Sequence, residues 1–420
     1  MNDLHNIIPR IQMSQLTRVL HEFPVVILHG ARQTGKTTLA TMPEIGAGRT
    51  YLSMDDFDTI EIARRDPGAL FTGRDRITID EVQRQPDLLL AIKSEVDRNR
   101  KPGRFLLTGS ANLLLMQRVS ENLAGRAVYF QLPPLTWAET ERKTFGSALD
   151  TILEKETVQE LIESIGREPV ESKRSLPSAI FSGGYPVPSL SDDSMFRSRW
   201  FDGYIQTYLE RDLRDMSATD NLIEFRRLMQ MCAAQNGCLL NIAAIAHDAG
   251  LSLSTARRYI GFLEVSFQIA RVPAFSVNRG KRVIKSPKVY WTDTGLAAHL
   301  AGIFSEESLT GGRKWGLWLE NYVGIHLQVY ASLHVPRITV YHWRTASGNE
   351  VDFVLEYGRK LIPIEVKTTT RPTGSDIKGL KSFLALYPEA LYGVLACQCK
   401  KPTVLSKDII ALPIPTLLLS

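Results

Sequence analysis

Cysteines are scarce in this sequence, and long apolar runs are absent. The four cysteines are too few and too irregularly spaced for a disulfide framework, and no histidine lies near the Cys397–Cys399 pair to complete a zinc site. No run reaches the roughly 18 apolar residues that a membrane-spanning helix needs, and Met1 to Arg10 lacks the regions of a secretory signal. We therefore expect a cytoplasmic protein with reduced thiols.

The sequence also lacks a dominant charge. Its 50 Lys and Arg residues nearly balance 45 Asp and Glu residues, so the net charge of +5 points to no particular partner. A composition with 44% hydrophobic residues, 29 Gly and 21 Pro in 420 residues excludes collagen-like and disordered classes. At roughly 100–200 residues per domain, this length predicts about two to four domains. Any nucleic-acid function must rest on local patches.

Short apolar runs alternate with helix-like segments between Val25 and Leu135. This order predicts an α/β fold with a doubly wound parallel sheet. A mostly helical region follows, and from Gly312 the order helix, strand, hairpin, helix, strand predicts a second α/β module. Four domains are predicted: a nucleotide-binding core at 1–135, a helical lid and connector at 136–230, a winged helix-turn-helix unit at 231–311 and the C-terminal module at 312–420.

A phosphate-binding motif directly follows the first predicted strand. It matches G-x-x-x-x-G-K-[ST], and with one further threonine it gives the predicted ATP-binding residues: Gly30, Ala31, Arg32, Gln33, Thr34, Gly35, Lys36, Thr37 and Thr38. The glycines let backbone N–H groups face the phosphates, while Lys36 would reach the β- and γ-phosphates and Thr37 the Mg²⁺ ion. The motif therefore predicts ATP and Mg²⁺ as ligands.

Two carboxylates end the predicted strand Ile77–Ile79. We expect Asp80 to hold Mg²⁺ and Glu81 to orient or deprotonate the attacking water. A later strand ends in Thr108-Gly109-Ser110, where the Ser110 hydroxyl would sense the γ-phosphate; a simple strand-end turn is the alternative. Together these residues predict an ATP hydrolase.

These motifs resemble those of the AAA+ ATPases, and more narrowly a bacterial and archaeal branch in which Asp-Glu and a Thr-Gly-Ser strand end follow the phosphate-binding loop. The segment Gly183-Gly184-Tyr185-Pro186 is similar to the lid motif of that branch. The resemblance implies a homo-oligomer, such as a hexameric ring, in which an arginine of a neighbouring subunit completes the site. Arg126 is the first candidate for that arginine and Arg118 the second, and a solvated helix-end cation is the alternative for Arg126.

The stretch from Tyr204 to Asp212 resembles the signature helix of a domain of unknown function that often follows this ATPase type. The whole resemblance extends from Pro9 to Cys397. Arg211 and Arg214 could face the nucleotide from the lid, although arginines three apart on a charged helix face are more often solvated.

Residues 241–263 have the spacing of a helix-turn-helix, with a turn at Gly250 and a serine cap before the second helix. Thr255, Arg257 and Arg258 lie near the start of that helix, where a recognition helix meets DNA. Plain protein packing is the alternative.

Two predicted strands, 267–272 and 288–291, flank a loop without acidic residues, the layout of a winged helix whose wing contacts phosphate. The basic residues of this segment are Arg271, Arg279, Lys281, Arg282, Lys285 and Lys288. Of these, Arg279, Lys281, Arg282 and Lys285 are the predicted DNA contacts. A generic basic loop is the alternative, and double-stranded or branched DNA is the expected partner.

Two alternating segments near the C-terminus predict a hairpin with its turn at Gly358-Arg359. That turn places Asp352 opposite Glu365 and Glu350 opposite Lys367, all on one sheet face. Facing carboxylates repel unless a cation lies between them, which predicts Mg²⁺ or Mn²⁺ at this site.

An upstream helix carries Glu320 on an apolar stripe, where a carboxylate needs a partner. Helix Glu320, strand Asp352 and the Glu365-x-Lys367 pair resemble the PD-(D/E)xK nucleases, although Val351 replaces the proline of that motif. The resemblance implies a restriction-endonuclease-like domain with Glu320, Asp352 and Glu365 as metal ligands and Lys367 as a catalytic cation. The alternative is a Glu350–Lys367 salt bridge on a solvated face.

Three functions follow from these patterns. The leading hypothesis is an oligomeric ATPase that couples ATP hydrolysis to DNA remodelling or translocation. The second is a regulatory switch ATPase whose C-terminal module binds DNA or a protein without cleaving. The third is a metal-dependent nuclease gated by ATP.

Overall fold

The structure is a computed structural model that describes residues 7–109, 121–209, 213, 221–278, 280, 282 and 285–420. Its first described sheet has five strands in the order β2-β3-β4-β1-β5, all parallel. The strands are β1 Val25–His29, β2 Thr50–Ser53, β3 Ile77–Asp80, β4 Phe105–Thr108 and β5 Ala127–Gln131. The predicted parallel α/β sheet is therefore confirmed.

Both faces of this sheet are covered because successive side chains of a strand point to opposite sides. Val25 and Ile27 of β1 pack into one hydrophobic cluster, and Val26 and Leu28 pack into another. The helices around the sheet are α1 Met13–Glu22, α2 Lys36–Thr41, α3 Pro43–Gly46, α4 Phe57–Arg65 and α5 Leu88–Arg98, with 3₁₀ turns at Pro67–Leu70 and Val82–Arg84. Because β3, β4 and β1 are parallel neighbours, their carboxyl ends lie side by side at one end of the sheet.

Short helices with side-chain caps follow the sheet. Thr136 and Glu139 form a reciprocal capping box at the start of α6, and Ser175 caps α9. The elements are α6 Trp137–Glu141, α7 Ser147–Glu154, α8 Val158–Ile165, α9 Leu176–Ser182, α10 Pro186–Ser189 and α11 Ser194–Tyr204, continued by a π-helical turn at Ile205–Leu209. Only the first part of the predicted 204–212 helix therefore falls within the described residues.

A helical unit with a two-stranded sheet comes next. Asn241 caps α13, Gly250 ends it in the left-handed conformation, and Ser252 caps α14. The elements are α12 Leu222–Ala234, α13 Ile242–Ala249, α14 Leu253–Val265, β6 Ile269–Val272 and β7 Lys288–Trp291. Strands β6 and β7 pair antiparallel, Ile269 opposite Trp291.

The last module is a mixed six-stranded sheet of described residues in the order β12-β13-β11-β10-β9-β8. Its strands are β8 Thr339–Arg344, β9 Glu350–Tyr357, β10 Lys360–Val366, β11 Gly393–Cys397, β12 Thr403–Ser406 and β13 Ile409–Pro413. Helices α15 Thr294–Leu300 and α16 Glu306–Gly311 precede this module and pack on the lid helix α9, and the helices of the module are α17 Trp315–Ser332, α18 Lys378–Leu386 and α19 Ile414–Leu418. The β9–β10 ladder pairs Tyr357 with Lys360 and Phe353 with Ile364, which confirms the predicted hairpin register.

One hydrophobic cluster runs across the predicted domain boundaries. It joins Trp137 of α6, Tyr259 of α14, Leu319 of α17 and Ile364 of β10. The boundaries themselves stay a prediction, but residues on both sides of position 311 share this core. Among the described residues, no helix is long and apolar enough to cross a membrane.

Candidate functional site

The phosphate-binding loop joins the end of β1 to the start of α2. At Gly30, with φ 147°, any Cβ would lie 2.4 Å from the Leu132 carbonyl oxygen, so only glycine fits there. Gln33 and Gly35 also have positive φ, which curls the loop. Lys36 Nζ lies 3.2 Å from the Gly30 carbonyl oxygen and 2.7 Å from that of Ala31, inside the curl where phosphate oxygens are expected.

Asp80, buried at the end of β3, collects hydroxyl groups from three elements. Thr37 Oγ1 donates to its Oδ2 at 3.0 Å, the Tyr51 hydroxyl donates to Oδ2 at 2.6 Å, and Thr108 donates to Oδ1. The Thr37 hydroxyl and the Asp80 carboxylate are the oxygen donors that Mg²⁺ prefers. The residues present fit a nucleotide-bound Mg²⁺ ion.

Glu81 follows Asp80 with φ 55°, in the left-handed region of backbone conformation. Gln83 Nε2 donates to its Oε2. Burial, and secondarily the charge of Asp80, raises the pKa of Glu81 above its ordinary value, while Lys36 opposes the shift. A carboxylate whose pKa is raised is a better proton acceptor from water, as the predicted role requires.

Arg10 braces the phosphate-binding loop from outside the motif. Its Nε donates to Glu139 Oε1 at 2.8 Å, its Nη1 to the Thr34 carbonyl at 2.8 Å and its Nη2 to the Pro133 carbonyl at 2.6 Å. Both charged groups are almost fully buried. Sequence reasoning missed Arg10, Tyr51, Thr108 as an Asp80 partner, and Gln83, because each acts through a contact between distant chain segments or a local turn that no motif marks.

Other predicted residues of the ATP site have different outcomes. Ser110, Arg118, Arg211 and Arg214 lie outside the described residues. Arg126 precedes β5 at the sheet edge opposite the phosphate-binding loop, and its guanidinium contacts both Asp97 carboxylate oxygens, at 2.6 and 3.0 Å. Any action of Arg126 on ATP would therefore be on a neighbouring subunit, which stays a prediction.

The Gly-Gly-x-Pro segment lies between the first sheet and the last module. A Cβ on Gly184 would lie 2.2 Å from the Leu135 carbonyl oxygen, so glycine permits this close approach. Leu135 N donates to the Gly184 carbonyl at 2.7 Å, and the Gly184 and Tyr185 amides donate to Asp293 Oδ2 at 2.6 and 3.0 Å. Burial raises the pKa of Asp293 to about 6 despite these donors. The segment connects three parts of the chain through its backbone amides and carbonyl, with the Asp293 carboxylate as the acceptor of two of the hydrogen bonds.

The predicted DNA contacts on α14 are partly accessible. Arg257 and Arg258 are exposed, and the Arg258 guanidinium lies 5.3 Å from the Tyr259 ring centre. Thr255 Oγ1 accepts a hydrogen bond from Ser252 Oγ at 2.9 Å, so it belongs to the helix cap. The two arginines are left as the accessible cations at the start of this helix.

The predicted DNA contacts in the basic loop divide in the structure. Arg279 and Lys281 lie outside the described residues, and Lys285 is exposed. Arg282 donates to both Glu356 carboxylate oxygens at 2.8 and 3.0 Å, and its guanidinium lies 4.7 Å from the ring centres of Phe275 and Tyr341. The prediction for Arg282 needs correction, because its side chain is bound to the C-terminal module rather than presented to phosphate.

The C-terminal carboxylates come together as predicted from the hairpin and the helix. We call Glu320, Asp352 and Glu365, with the ammonium groups of Lys288 and Lys367, the carboxylate cluster. Lys288 Nζ lies 2.7 Å from Glu320 Oε1 and 3.2 Å from Asp352 Oδ1. The sequence interpretation placed a divalent ion between the facing carboxylates Asp352 and Glu365; in the structure a lysine from β7 lies between Glu320 and Asp352. In the sequence, Lys288 was counted only as one of the six basic residues of this segment.

Hydrogen bonds complete much of this cluster. Val366 N donates to Asp352 Oδ2 at 2.9 Å, and Lys367 Nζ contacts Glu365 Oε1. Glu365 Oε2 is buried without a hydrogen-bond partner among the described residues. Burial, and then the charge of Asp352, raises the pKa of Glu365.

The alternative interpretation of the β9–β10 hairpin, a Glu350–Lys367 salt bridge on a solvated face, is wrong. Glu350 lies 3.9 Å from Arg344, not on Lys367, and both Asp352 and Glu365 are buried rather than solvated.

The electrostatics of Lys288 agree with its position. Burial alone would lower the pKa of Lys288, but the charges of Glu320 and Asp352 outweigh burial and raise it. Within the described ranges, no group of three or more His, Cys, Asp or Glu residues is arranged to hold a metal ion. In this arrangement the Lys288 ammonium group supplies the positive charge between Glu320 and Asp352, and the metal site of the sequence interpretation stays a prediction.

Three family models match successive parts of the chain. Residues 22–141 match an "AAA domain", residues 173–307 a "Domain of unknown function (DUF8612)" and residues 315–417 a "Domain of unknown function (DUF4143)". Among solved structures, the Walker-type ATPase PABY2304 of Pyrococcus abyssi is 15% identical, with a TM-score of 0.44, over 71% of this chain and 97% of that chain. The Thermotoga maritima RuvB Holliday junction branch migration motor is 18% identical, with a TM-score of 0.31, over 65% and 93%.

Two curated relatives are similar over most of the chain. Uncharacterized protein Rv2008c of Mycobacterium tuberculosis and uncharacterized protein Mb2031c of Mycobacterium bovis are each 33% identical over 362 residues, which is 86% of this chain and 74% of the relative. The AAA domain match covers the phosphate-binding loop, Asp80 at the end of β3 and Glu81 directly after it. This chain belongs to the same family as these two mycobacterial proteins, and it is a P-loop ATPase of the AAA type.

Proposed function

We propose that this protein is an oligomeric, Mg²⁺-dependent AAA ATPase that binds double-stranded or branched DNA and couples ATP hydrolysis to its remodelling or translocation. The observation that carries the proposal is the chain of hydrogen bonds from the ATPase sheet to the helical unit. Leu135, four residues after β5, donates its amide to the Gly184 carbonyl, and the Gly184 amide donates to the side chain of Asp293, two residues after β7. A change at the nucleotide thus has a short, rigid route to the DNA-facing unit.

The nucleotide half of the proposal uses residues already described. Lys36 would bind the β- and γ-phosphates, Thr37 and Asp80 would hold Mg²⁺, and Glu81 would accept the proton of the attacking water. The magnesium ion neutralises charge that develops on the phosphates during transfer. Arg126 of a neighbouring subunit would stabilise the same charge in a ring such as a hexamer.

The DNA half rests on α14. In a winged helix the N-terminal part of the second helix enters the major groove, and in this chain that part carries the exposed side chains of Arg257 and Arg258. Lys285, exposed just before β7, would add a phosphate contact. Arg282 is excluded from this surface by its pairing with Glu356.

The test is ATP hydrolysis with and without linear duplex, single-stranded and four-way-junction DNA, in Mg²⁺ and in Mn²⁺, with gels from the same reactions. We expect DNA to stimulate hydrolysis, and the Arg257→Glu/Arg258→Glu variant to lose stimulation while keeping basal turnover. Arg64→Glu/Arg65→Glu, a charge reversal of exposed arginines on α4, is the matched control. Equal stimulation of both variants would contradict the DNA surface.

A switch ATPase is the second candidate, and a specific observation favours it. Arg282 and Lys288, two of the six cations counted toward DNA, bind carboxylates of the C-terminal module instead. A switch would hydrolyse ATP slowly without DNA stimulation. New bands on the gels would instead support a nuclease, and Asp352→Ala should then abolish cleavage while leaving ATP hydrolysis intact.

A further inference from the structure

We propose that Lys288 is the resident cation of the carboxylate cluster and that this lysine excludes divalent metal ions from it. The C-terminal module would then be joined to the helical unit by an ion cluster rather than carrying a metal centre. This inference does not depend on DNA binding or on ATP hydrolysis.

The strand β7 delivers Lys288 to the cluster by its alternation. Lys288 and Tyr290 are two residues apart and therefore share one face of the strand. Both reach the same acceptor: Lys288 Nζ lies 2.7 Å and the Tyr290 hydroxyl 2.6 Å from Glu320 Oε1. All four residues of β7 are buried, so the lysine cannot turn to solvent without disrupting the strand. The contact is part of the packed core.

The oxygen atoms that a metal between Glu320 and Asp352 would need are already in use, whereas Glu365 Oε2 is buried without a hydrogen-bond partner among the described residues. Glu320 Oε1 accepts two hydrogen bonds, Asp352 Oδ1 contacts Lys288, and Asp352 Oδ2 accepts from the Val366 amide. A Mg²⁺ ion binds carboxylate oxygens at about 2.0–2.1 Å. An ion between Glu320 Oε1 and Asp352 Oδ1 would therefore occupy the space of the lysine ammonium and be repelled by its charge.

The charges of the cluster also make Lys288 necessary. Glu320, Asp352 and Glu365 bring three buried carboxyl groups, and Lys288 and Lys367 bring two ammonium groups. Without Lys288, Glu320 and Asp352 would be left as facing carboxyl groups with no cation between them, which is costly in the interior. Removal of the lysine should therefore create a demand for a replacement cation, which a divalent ion can meet.

The experiment measures Mn²⁺ binding to the full chain without nucleotide, by calorimetry and by the electron paramagnetic resonance of free Mn²⁺. An Asp80→Asn background removes the metal ligand of the ATP site. We expect no Mn²⁺ at the cluster in this background. Adding Lys288→Met should produce a Mn²⁺ site, measured as an affinity about tenfold or more above that of the Asp80→Asn chain. It should also make thermal unfolding sensitive to Mn²⁺. Lys285→Met, at an exposed lysine three residues earlier, is the matched control and should bind no additional Mn²⁺.

Two outcomes would overturn the inference. One is Mn²⁺ binding by the Asp80→Asn chain that disappears when Asp352→Asn is added, because the native cluster would then accept metal despite the lysine. The other is a folded Lys288→Met variant that binds no Mn²⁺. If Lys288→Met fails to fold, the comparison of Asp80→Asn with and without Asp352→Asn still decides whether the native cluster takes metal.

Discussion

Neighbouring acidic residues of the ATP site have different environments, and these environments separate their tasks. Asp80 is surrounded by hydroxyl donors from Thr37, Tyr51 and Thr108, which keep its carboxylate oriented toward the phosphate-binding loop. Glu81 has a left-handed backbone and a pKa raised by burial, as we expect of the residue that would accept a proton from water. The two residues are adjacent in sequence, and the predicted base is the one whose carboxyl group has the raised pKa.

The variant Glu81→Gln tests this division at the residue scale. It keeps the size of the side chain but removes the proton acceptor, so we expect ATP hydrolysis to fall by about 10²–10⁴-fold with ATP affinity nearly unchanged. Steady-state hydrolysis and binding of a fluorescent ATP analogue measure the two quantities. The exposed Asp58→Asn on α4 serves as the control and should leave both unchanged. Hydrolysis near the native rate in Glu81→Gln would remove Glu81 from the mechanism.

At the element scale, the contact between α6 and α17 depends on one side chain, which accepts a hydrogen bond from the first amide of the neighbouring helix. The first amide of α6, Trp137 N, donates to His326 Nε2 of α17 at 2.8 Å, and His326 Nδ1 contacts the Tyr322 carbonyl oxygen at 2.7 Å. A ring that accepts at Nε2 and donates at Nδ1 is neutral. Burial lowers the pKa of His326 to about 4, and the hydrogen bond to the Tyr322 carbonyl and the charge of Glu139 oppose this shift only in part. The contact therefore requires the neutral imidazole.

This contact predicts a loss of stability in acid. The pKa of His326 in the folded protein, about 4, lies below its unfolded value of 6.5, so its contribution is complete above pH 6.5 and falls as the pH drops from 6.5 toward 4. At ~1.4 kcal/mol per pH unit, the loss amounts to about 3 kcal/mol of unfolding free energy.

The measurement is chemical unfolding between pH 7 and pH 4, compared with His326→Gln, which keeps an acceptor for Trp137 but does not titrate. The variant should show a smaller pH dependence than the native chain. His247→Gln, at an exposed position, is the control. Identical pH profiles for the native chain and His326→Gln would contradict the assignment.

At the scale of the whole molecule, the hydrophobic cores divide the chain differently from the four domains predicted from the sequence motifs. Two clusters cover the faces of the first sheet, whereas a single large cluster joins the helical lid, the helical unit and the C-terminal module. The buried carboxylate cluster and the half-buried Arg282–Glu356 pair add charge contacts between the helical unit and the C-terminal module. The nucleotide signal would therefore reach one large body through the Gly184 segment.

This division predicts that a chain ending at residue 311 will not fold as the native one does. It would expose the remaining half of the shared cluster and leave Lys288 buried without its carboxylates. We expect the shortened chain to lose cooperative thermal unfolding and to bind a hydrophobic dye. Near-ultraviolet circular dichroism and calorimetry measure this, with the full chain as reference. A cooperative, native-like transition in the shortened chain would show that the helical unit has its own core.

Local patterns sufficed for much of this protein. The phosphate-binding loop, the acidic pair after β3 and the β9–β10 register depend on glycine placement, strand alternation and turn length, which are properties of short segments. The burial of Glu320 on the apolar face of α17 was likewise readable from spacing alone. By itself, the sequence determined which residues could bind ATP and which carboxylates would meet.

Only the tertiary structure decided which cation the carboxylates meet. Lys288 and Asp352 are 64 positions apart, and a lysine in a basic stretch has the same local signal whether it is solvated or buried. The contacts of Arg10 and Tyr51 could not be predicted from the sequence for the same reason, because each residue binds a group on a distant segment of the chain. Charge pairing depends on distance in space and on exclusion of water, and both are set only when separate elements pack together.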